Sequence, residues 1–248
     1  MKFKIFEKYK NLQHLITQRD TTHKLHNSMA MHTGEHIEHI SQNRERLREY
    51  FGDDVRFFSV LQTHSSDIYI VNKQVDYGWS ALDTTIEADA LITDIPNQVL
   101  TILTADCVPI LLYDTQREVI AAIHAGWRGT DKKIVQKCVA KMIAEYGTDP
   151  KDIVAGVAPA IGGCCYEVSE EIASYFHEYP EYVVRDKSSS IYLNLKSINR
   201  AQLVDMGVPS EQIEVSNICT ACQNEDYFSY RKEKGCSGRF MSAIMLTT

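Results

Sequence analysis

Three apolar runs follow one another with almost nothing between them: VLTILT at 99–104, VPILLY at 108–113 and VIAAIH at 119–124. Each has the length of a strand, and the breaks between them are too short to hold a helix. A parallel pair needs a crossover of a dozen or more residues, usually helical, so this order argues against a regular alternation of strand and helix. Further strand-like runs fall at 57–61, 68–72, 88–93, 152–157, 191–193, 213–217 and 239–246. Helices are fewer. The clearest is expected over 130–147, with Ile134, Val135, Cys138, Val139, Met142, Ile143 and Tyr146 on one face and Gly147 as its stop. A second is expected from Ser169, whose hydroxyl caps EEIASYFHEY. A third runs from Asn194 to Gly207 with Pro209 beyond, and a fourth spans about 35–50. The pattern predicts an α+β fold with helices packed outside mixed β-sheets. No repeat or Pro/Gly-rich linker divides the 248 residues, so a single domain over 1–248 is expected.

Charge and composition exclude some partners. A net charge of −7 offers no basic surface for nucleic acid. No apolar run approaches the ~18 residues of a membrane span. The opening MKFKIFEKYKNLQHL carries charges throughout and lacks the unbroken apolar stretch of a signal peptide. The expectation is a soluble, cytoplasmic protein. Its seven cysteines are then free thiols or metal ligands rather than a disulfide framework.

An acid and a cysteine, Asp106 and Cys107, stand directly before the run at 108–113, and buried strands seldom begin that way without a reason. His64 and His124 also fall at strand ends, and all three residues are expected in turns there. Two imidazoles and a thiolate are good zinc ligands, and three protein ligands leave a fourth position for water or substrate. The intervals, 64 to 107 and 107 to 124, form no local zinc motif. Core packing for the cysteine and a polar loop position for each histidine remain open. Other clusters invite the same test. Cys219 and Cys222 form a lone CxxC that, with Cys164, Cys165 or Cys236, offers a structural zinc site or a redox pair. Adjacent Cys164 and Cys165 cannot mimic a second CxxC, so buried or semi-buried thiols are the expectation. His32, His36 and His39 lie among Glu35 and Glu38 and read as a solvated helix face. Three glycine-marked turns complete the set. HAGWRGT (124–130) carries Arg128 into a helix whose first amides could bind an anion. APAIGGCCYEV (158–168) precedes another helix. YFSYRKEKGCSGR (227–239) places Tyr230 and Arg231 before a glycine-rich loop, and an arginine fork suits phosphate.

Taken together, QTHS (62–65), ADAL (88–91), TADCVPILLYD (104–114), HAGWRGT, PAIGGCCYEV and YFSYR…GCSGR resemble, in order, the laccase-domain or YfiH family. This is also called the polyphenol oxidase/purine nucleoside phosphorylase family. The resemblance covers about residues 27–246. It implies a layered α/β/β/α sandwich and a zinc-dependent, cytoplasmic enzyme that phosphorolyses adenosine, inosine and methylthioadenosine and deaminates adenosine. Its zinc ligands map by motif onto His64, Cys107 and His124. Two departures bear on substrate detail: Ala158 stands where the family commonly has glycine, and Lys232 follows Arg231 in place of a second arginine.

The laccase label can be tested on the residues. Multicopper oxidases need His-x-His pairs; the nine histidines here include none, and Cys107 is flanked by Asp106 and Val108. In the expected mechanism Arg128 and Arg231 hold phosphate, and Asp106 orients a histidine, shuttles a proton or makes a strand-start hydrogen bond. Two other classes compete: a metal-free cysteine hydrolase with Cys107 as nucleophile, and a non-catalytic zinc or nucleotide-binding protein.

Overall fold

The structure is a computed structural model that describes residues 1–31, 36–79, 84–235 and 238–248. In chain order its elements run β1 (Leu12–Ile16), α1 (Ile37–Phe51), β2 (Arg56–Phe58), β3 (Ile68–Ile70), β4 (Ala90–Thr93) and β5 (Gln98–Thr104). Then come β6 (Val108–Asp114), β7 (Val119–Ala125), α2 (Trp127–Asp131), α3 (Ile134–Tyr146), β8 (Ile153–Val157) and β9 (Glu167–Val168). The chain ends with α4 (Glu170–Ser174), β10 (Val183–Arg185), β11 (Ile191–Leu193), α5 (Leu195–Asp205), β12 (Ile213–Val215) and β13 (Phe240–Leu246).

The side chains of β6 explain the layering. Successive residues of a strand point to opposite faces, and here both faces are buried. Val108, Ile110 and Leu112 pack with α3 and α5 residues such as Val135, Val139 and Ile198. Leu111 and Tyr113 instead pack with Leu100 and Ile102 of β5 and Phe240 and Ile244 of β13. Strand β6 therefore lies in a sheet with helices on one side and a second sheet on the other. That sheet has six strands in the order β12-β8-β6-β7-β4-β3, and its partner has four in the order β1-β13-β5-β2. The far face of the partner sheet, including Phe57, Val99 and Met241, packs on Leu47 and Phe51 of α1. The result is helix, sheet, sheet, helix, as the α+β reading expects. A small third sheet, β10-β11-β9, completes the set.

Several expectations change in detail. The helix expected over 130–147 is two helices. Lys133 adopts a left-handed conformation (φ 59) between α2 and α3. The cause is on α5: Gln202 Nε2 donates to the Thr130 carbonyl at 2.9 Å and Asn199 Nδ2 to its hydroxyl at 3.0 Å. In an unbroken helix that carbonyl would accept from Ile134. Ser169 does cap α4, accepting from the Ile172 amide at 3.3 Å. That helix ends at Ser174, where buried Phe176 and Tyr179 turn the chain inward. His124 lies within β7 rather than in a turn, in register with Pro109. Strands β1, β9 and β10 fall outside the strand-like runs of the sequence. β1 is fixed by His14, whose Nε2 accepts from the Phe3 amide at 2.7 Å between the rings of Phe3 and Phe6. Among the described residues no helix is long and apolar enough to cross a membrane.

Candidate active site

Strand β5 belongs to one large sheet and β6 to the other, so residues 105–107 form the corner where the chain crosses between them. Asp106 makes that corner with φ at 90°, a conformation few non-glycine residues adopt. Its buried carboxylate accepts from the Thr220 hydroxyl and from the Arg231 amide, both at 2.6 Å. That is why an acid precedes a buried strand. It ties the corner to two distant loops and presents Cys107 at the cleft between the sheets. Of the three roles open to Asp106, the hydrogen bond at the strand start is the one the geometry supports.

The His64 loop is held by two side chains to which the sequence alone assigns no role. Gln62 imitates a neighbouring strand: its Nε2 donates to the Leu103 carbonyl and its Oε1 accepts from the Leu103 amide, each at 2.8 Å. Asp89, 0% exposed, accepts from the amides of Thr63, His64 and Ser65 at 3.3, 3.1 and 2.6 Å, and from the Ser65 hydroxyl at 2.7 Å. The same carboxylate meets His124 Nδ1 at 2.7 Å, while the His124 amide donates to the Asp89 carbonyl, also at 2.7 Å. One residue thus fixes both histidines. It also leaves His124 Nε2 as the ring nitrogen available to a ligand.

His64, Cys107 and His124 converge, with their donor atoms within 4.8 Å of one another. Cys107 Sγ lies 3.8 Å from His64 Nε2, and the two imidazole rings meet edge to face at 4.8 Å. Gly126 is packed against this set. A Cβ there would lie 3.0 Å from His64 Cδ2 and 3.1 Å from Cys107 Sγ. Burial alone would raise the Cys107 thiol, but His124 and then His64 draw it down to about 6. Burial would likewise lower His124, but the Cys107 sulfur and the Asp89 carboxylate raise it to about 9. Asp89 itself, despite burial, is held at about 2 by its bonds to His124 and Ser65. The protein thereby favours a thiolate beside a charged His124; once His124 gives up its Nε2 proton, the thiolate and two imidazoles form a donor set able to hold a metal ion.

A cavity of about 600 Å³ opens over these residues. Trp127, Tyr166 and Tyr230 supply aromatic wall, and Arg128, Arg231 and Arg239 supply positive charge. The Arg128 guanidinium stacks 4.2 Å from the Trp127 ring. Arg231 lies 5.2 Å from the Tyr166 ring and donates to the Glu167 carbonyl at 2.8 Å. Both arginines singled out in the sequence therefore line the cavity; they are joined by Arg239, the last residue of the GCSGR motif, to which the sequence alone assigns no role.

The other clusters separate. His36 begins α1 and its ring stands 5.1 Å from that of His39, at the exposed end of that helix, while His32 lies outside the described residues. The expectation of merely buried or semi-buried thiols needs correcting. Cys164 and Cys222 are exposed, and with Cys165 and Cys219 they form a second group whose sulfurs lie within 4.8 Å of one another. The turn at 162–165 and the turn at 219–222 meet in space, which their separation in sequence conceals. Cys236 lies outside the described residues.

A cleft of this volume, with aromatic and cationic walls and convergent polar groups at its floor, is of the class that takes small molecules. Residues 13–247 match the family model described as multi-copper polyphenol oxidoreductase laccase, and the chain belongs to that family. It is 34% identical to a protein of Bacteroides thetaiotaomicron named purine nucleoside phosphorylase, covering 96% of this chain and 93% of that one. It is also 34% identical to a protein named adenosine deaminase RL5, from an unknown prokaryotic organism, over 74% of this chain and 72% of the other. The crystal structure of the Bacillus licheniformis hypothetical protein YfiH superposes with a TM-score of 0.91 at 32% identity, covering 97% of this chain and 95% of that one.

Proposed function

We propose that the chain is a zinc-dependent purine nucleoside phosphorylase that also deaminates adenosine, with inosine and methylthioadenosine among its substrates. The observation that carries this reading is the convergence of His64, Cys107 and His124 at the floor of an arginine-lined cleft. The relatives named for phosphorolysis and deamination support it. Zinc fits the donors present. With Zn–N near 2.1 Å and Zn–S near 2.3 Å, a tetrahedral ion would separate nitrogen from sulfur by about 3.6 Å, close to the observed 3.8 Å. When bound, zinc supplies a Lewis acid and lowers the pKa of water toward ~7.

The chain's own groups do the rest. Asp89 keeps His124 in the tautomer that offers Nε2. Arg128 and Arg231 hold phosphate, whose oxygen attacks ribose C1′ as the bond from C1′ to the purine nitrogen breaks. Trp127 and Tyr166 give the purine an aromatic wall. In deamination, water adds at the purine carbon bearing the amine and ammonia leaves. We place this chemistry in the cytoplasm, in one domain, with no nucleic-acid partner.

Purified, zinc-loaded protein given adenosine tests the proposal. Adenine and ribose 1-phosphate are expected only with phosphate, and inosine without it. Arg231→Ala should lower adenine formation more than inosine formation. Equal loss of both sinks the phosphate assignment, and no turnover of any nucleoside sinks the enzyme reading. A second reading draws on the lowered Cys107 thiol beside His124, the pairing of a cysteine hydrolase. Activity that survives full chelation yet is lost on thiol alkylation would favour it.

A further inference from the structure

We propose a second metal site, in which Cys164, Cys165, Cys219 and Cys222 bind one divalent cation of thiolate preference, zinc foremost. The four sulfurs lie within 4.8 Å of one another, with Cys164 and Cys222 at 3.7 Å and Cys165 and Cys222 at 3.4 Å. A tetrahedron of sulfurs ~2.3 Å from a zinc has edges of about 3.8 Å, so the thiols already stand near that spacing. Four sulfurs without nitrogen or oxygen select zinc over the harder cations. Two tight turns supply them. The amides of Cys165 and Tyr166 both donate to the Gly162 carbonyl, and the Gln223 amide donates to the Cys219 carbonyl.

The surroundings suit a charged sulfur cluster. The Gly162 amide donates to Cys219 Sγ at 3.1 Å. A Cβ on Gly162 would lie 3.1 Å from Cys164 Sγ and 3.4 Å from Cys219 Sγ, so only a bare backbone leaves the sulfurs their room. The second, independent observation is Lys196, 6% exposed at the start of α5. Its ammonium donates to the carbonyls of Ser216 and Ile218 at 2.8 and 2.7 Å, and Cys219 and Cys164 are its electrostatic neighbours. Four thiolates around a divalent ion carry two net negative charges, one of which a buried ammonium would offset.

The cluster sits behind the active-site corner. Thr220, beside Cys219, donates its hydroxyl to Asp106, and its amide donates to the Ala160 carbonyl. The Ile161 amide donates to the Asp106 carbonyl. A metal joining the two turns would clamp the segments that hold Asp106, and so Cys107, in place. All four ligand positions come from protein, which marks a structural site. The inference uses none of the His64, Cys107 and His124 donors, so it stands if the nucleoside reading fails.

Metal analysis of zinc-reconstituted protein, kept reduced and then desalted, should give two zinc ions per chain. Cys107→Ser combined with His64→Ala should retain one, and Cys222→Ser should also retain one. Cobalt bound to the former should show the charge-transfer and ligand-field bands of a tetrahedral all-sulfur site. If Cys219→Ser misfolds, exposed Cys222 still provides the test. One zinc in wild type, unchanged by Cys222→Ser and abolished by Cys107→Ser, would overturn the proposal. So would a metal-free, disulfide-linked pair among these four in peptide mapping of the reconstituted protein.

Discussion

Asp89→Asn removes a charge while nearly preserving shape, and the surrounding donors make its effect calculable. Five groups donate to that carboxylate: three amides, the Ser65 hydroxyl and His124 Nδ1. A carboxylate accepts from all of them, but an amide has one accepting oxygen and one donating NH2. If the NH2 faces His124, Nδ1 must give up its proton and Nε2 must carry it, which blocks Nε2 as a ligand. If it faces the loop, it opposes the amides that position His64. The carboxyl sits at about 2 against 3.8 for a free one. That net preference for the charged form, after the opposing cost of burial, amounts to roughly 2.5 kcal/mol. A share of this falls on His124, consistent with the ~10–100-fold loss of metal affinity usual for such supporting groups. Competition with a chromophoric chelator measures the affinity, and circular dichroism checks the fold. A folded Asp89→Asn variant that binds zinc as tightly as wild type would refute the tautomer argument.

Other outcomes follow from the same geometry. Gly126→Ala should lower active-site metal occupancy severalfold with little change in secondary structure, since its Cβ would press on His64 and Cys107; metal analysis reads this directly. Asp106→Ala should destabilise the fold by about 1–3 kcal/mol in denaturant titration, because the Thr220 hydroxyl and Arg231 amide lose their acceptor. His14, pushed down to about 4 by burial and then by Lys2, gives a pH dependence. Below pH 6.5 the unfolded chain takes up a proton that the native chain refuses, so stability falls as pH drops from 6.5 toward 4, by roughly 3 kcal/mol. In His14→Gln this part of the slope should vanish, and an unchanged slope would remove His14 as its source.

What was legible in the sequence divides by range. Long apolar runs such as 108–113 and 119–124 announced their strands because burial on both faces leaves no room for polar residues. Strands β1, β9 and β10 were hidden. β1 mixes polar Gln13 and His14 into its run, while β9 and β10 are short and half exposed. The helix breaks at Lys133 because Gln202, far along the chain, donates to the Thr130 carbonyl, so the local pattern stayed helical. The three donors of the candidate site could be named from residue type and motif. Asp89, Gln62 and the meeting of two cysteine pairs could not, because their roles exist only once distant segments touch.

The crossing at 105–107 has a consequence for how the protein matures. Cys107 meets His124 where β6 and β7 pair, while the His64 loop is held both by Asp89, beside β4 in that same sheet, and through Gln62 by β5 of the other. The donor triad is therefore complete only where that loop is docked on both sheets. An ion that recognises only the finished triad draws the equilibrium toward the native chain, by about 2.7 kcal/mol at a free concentration one hundred times its dissociation constant. Chain newly made in metal-starved cells should accordingly be degraded faster than chain made in replete ones, even though its sheets are identical.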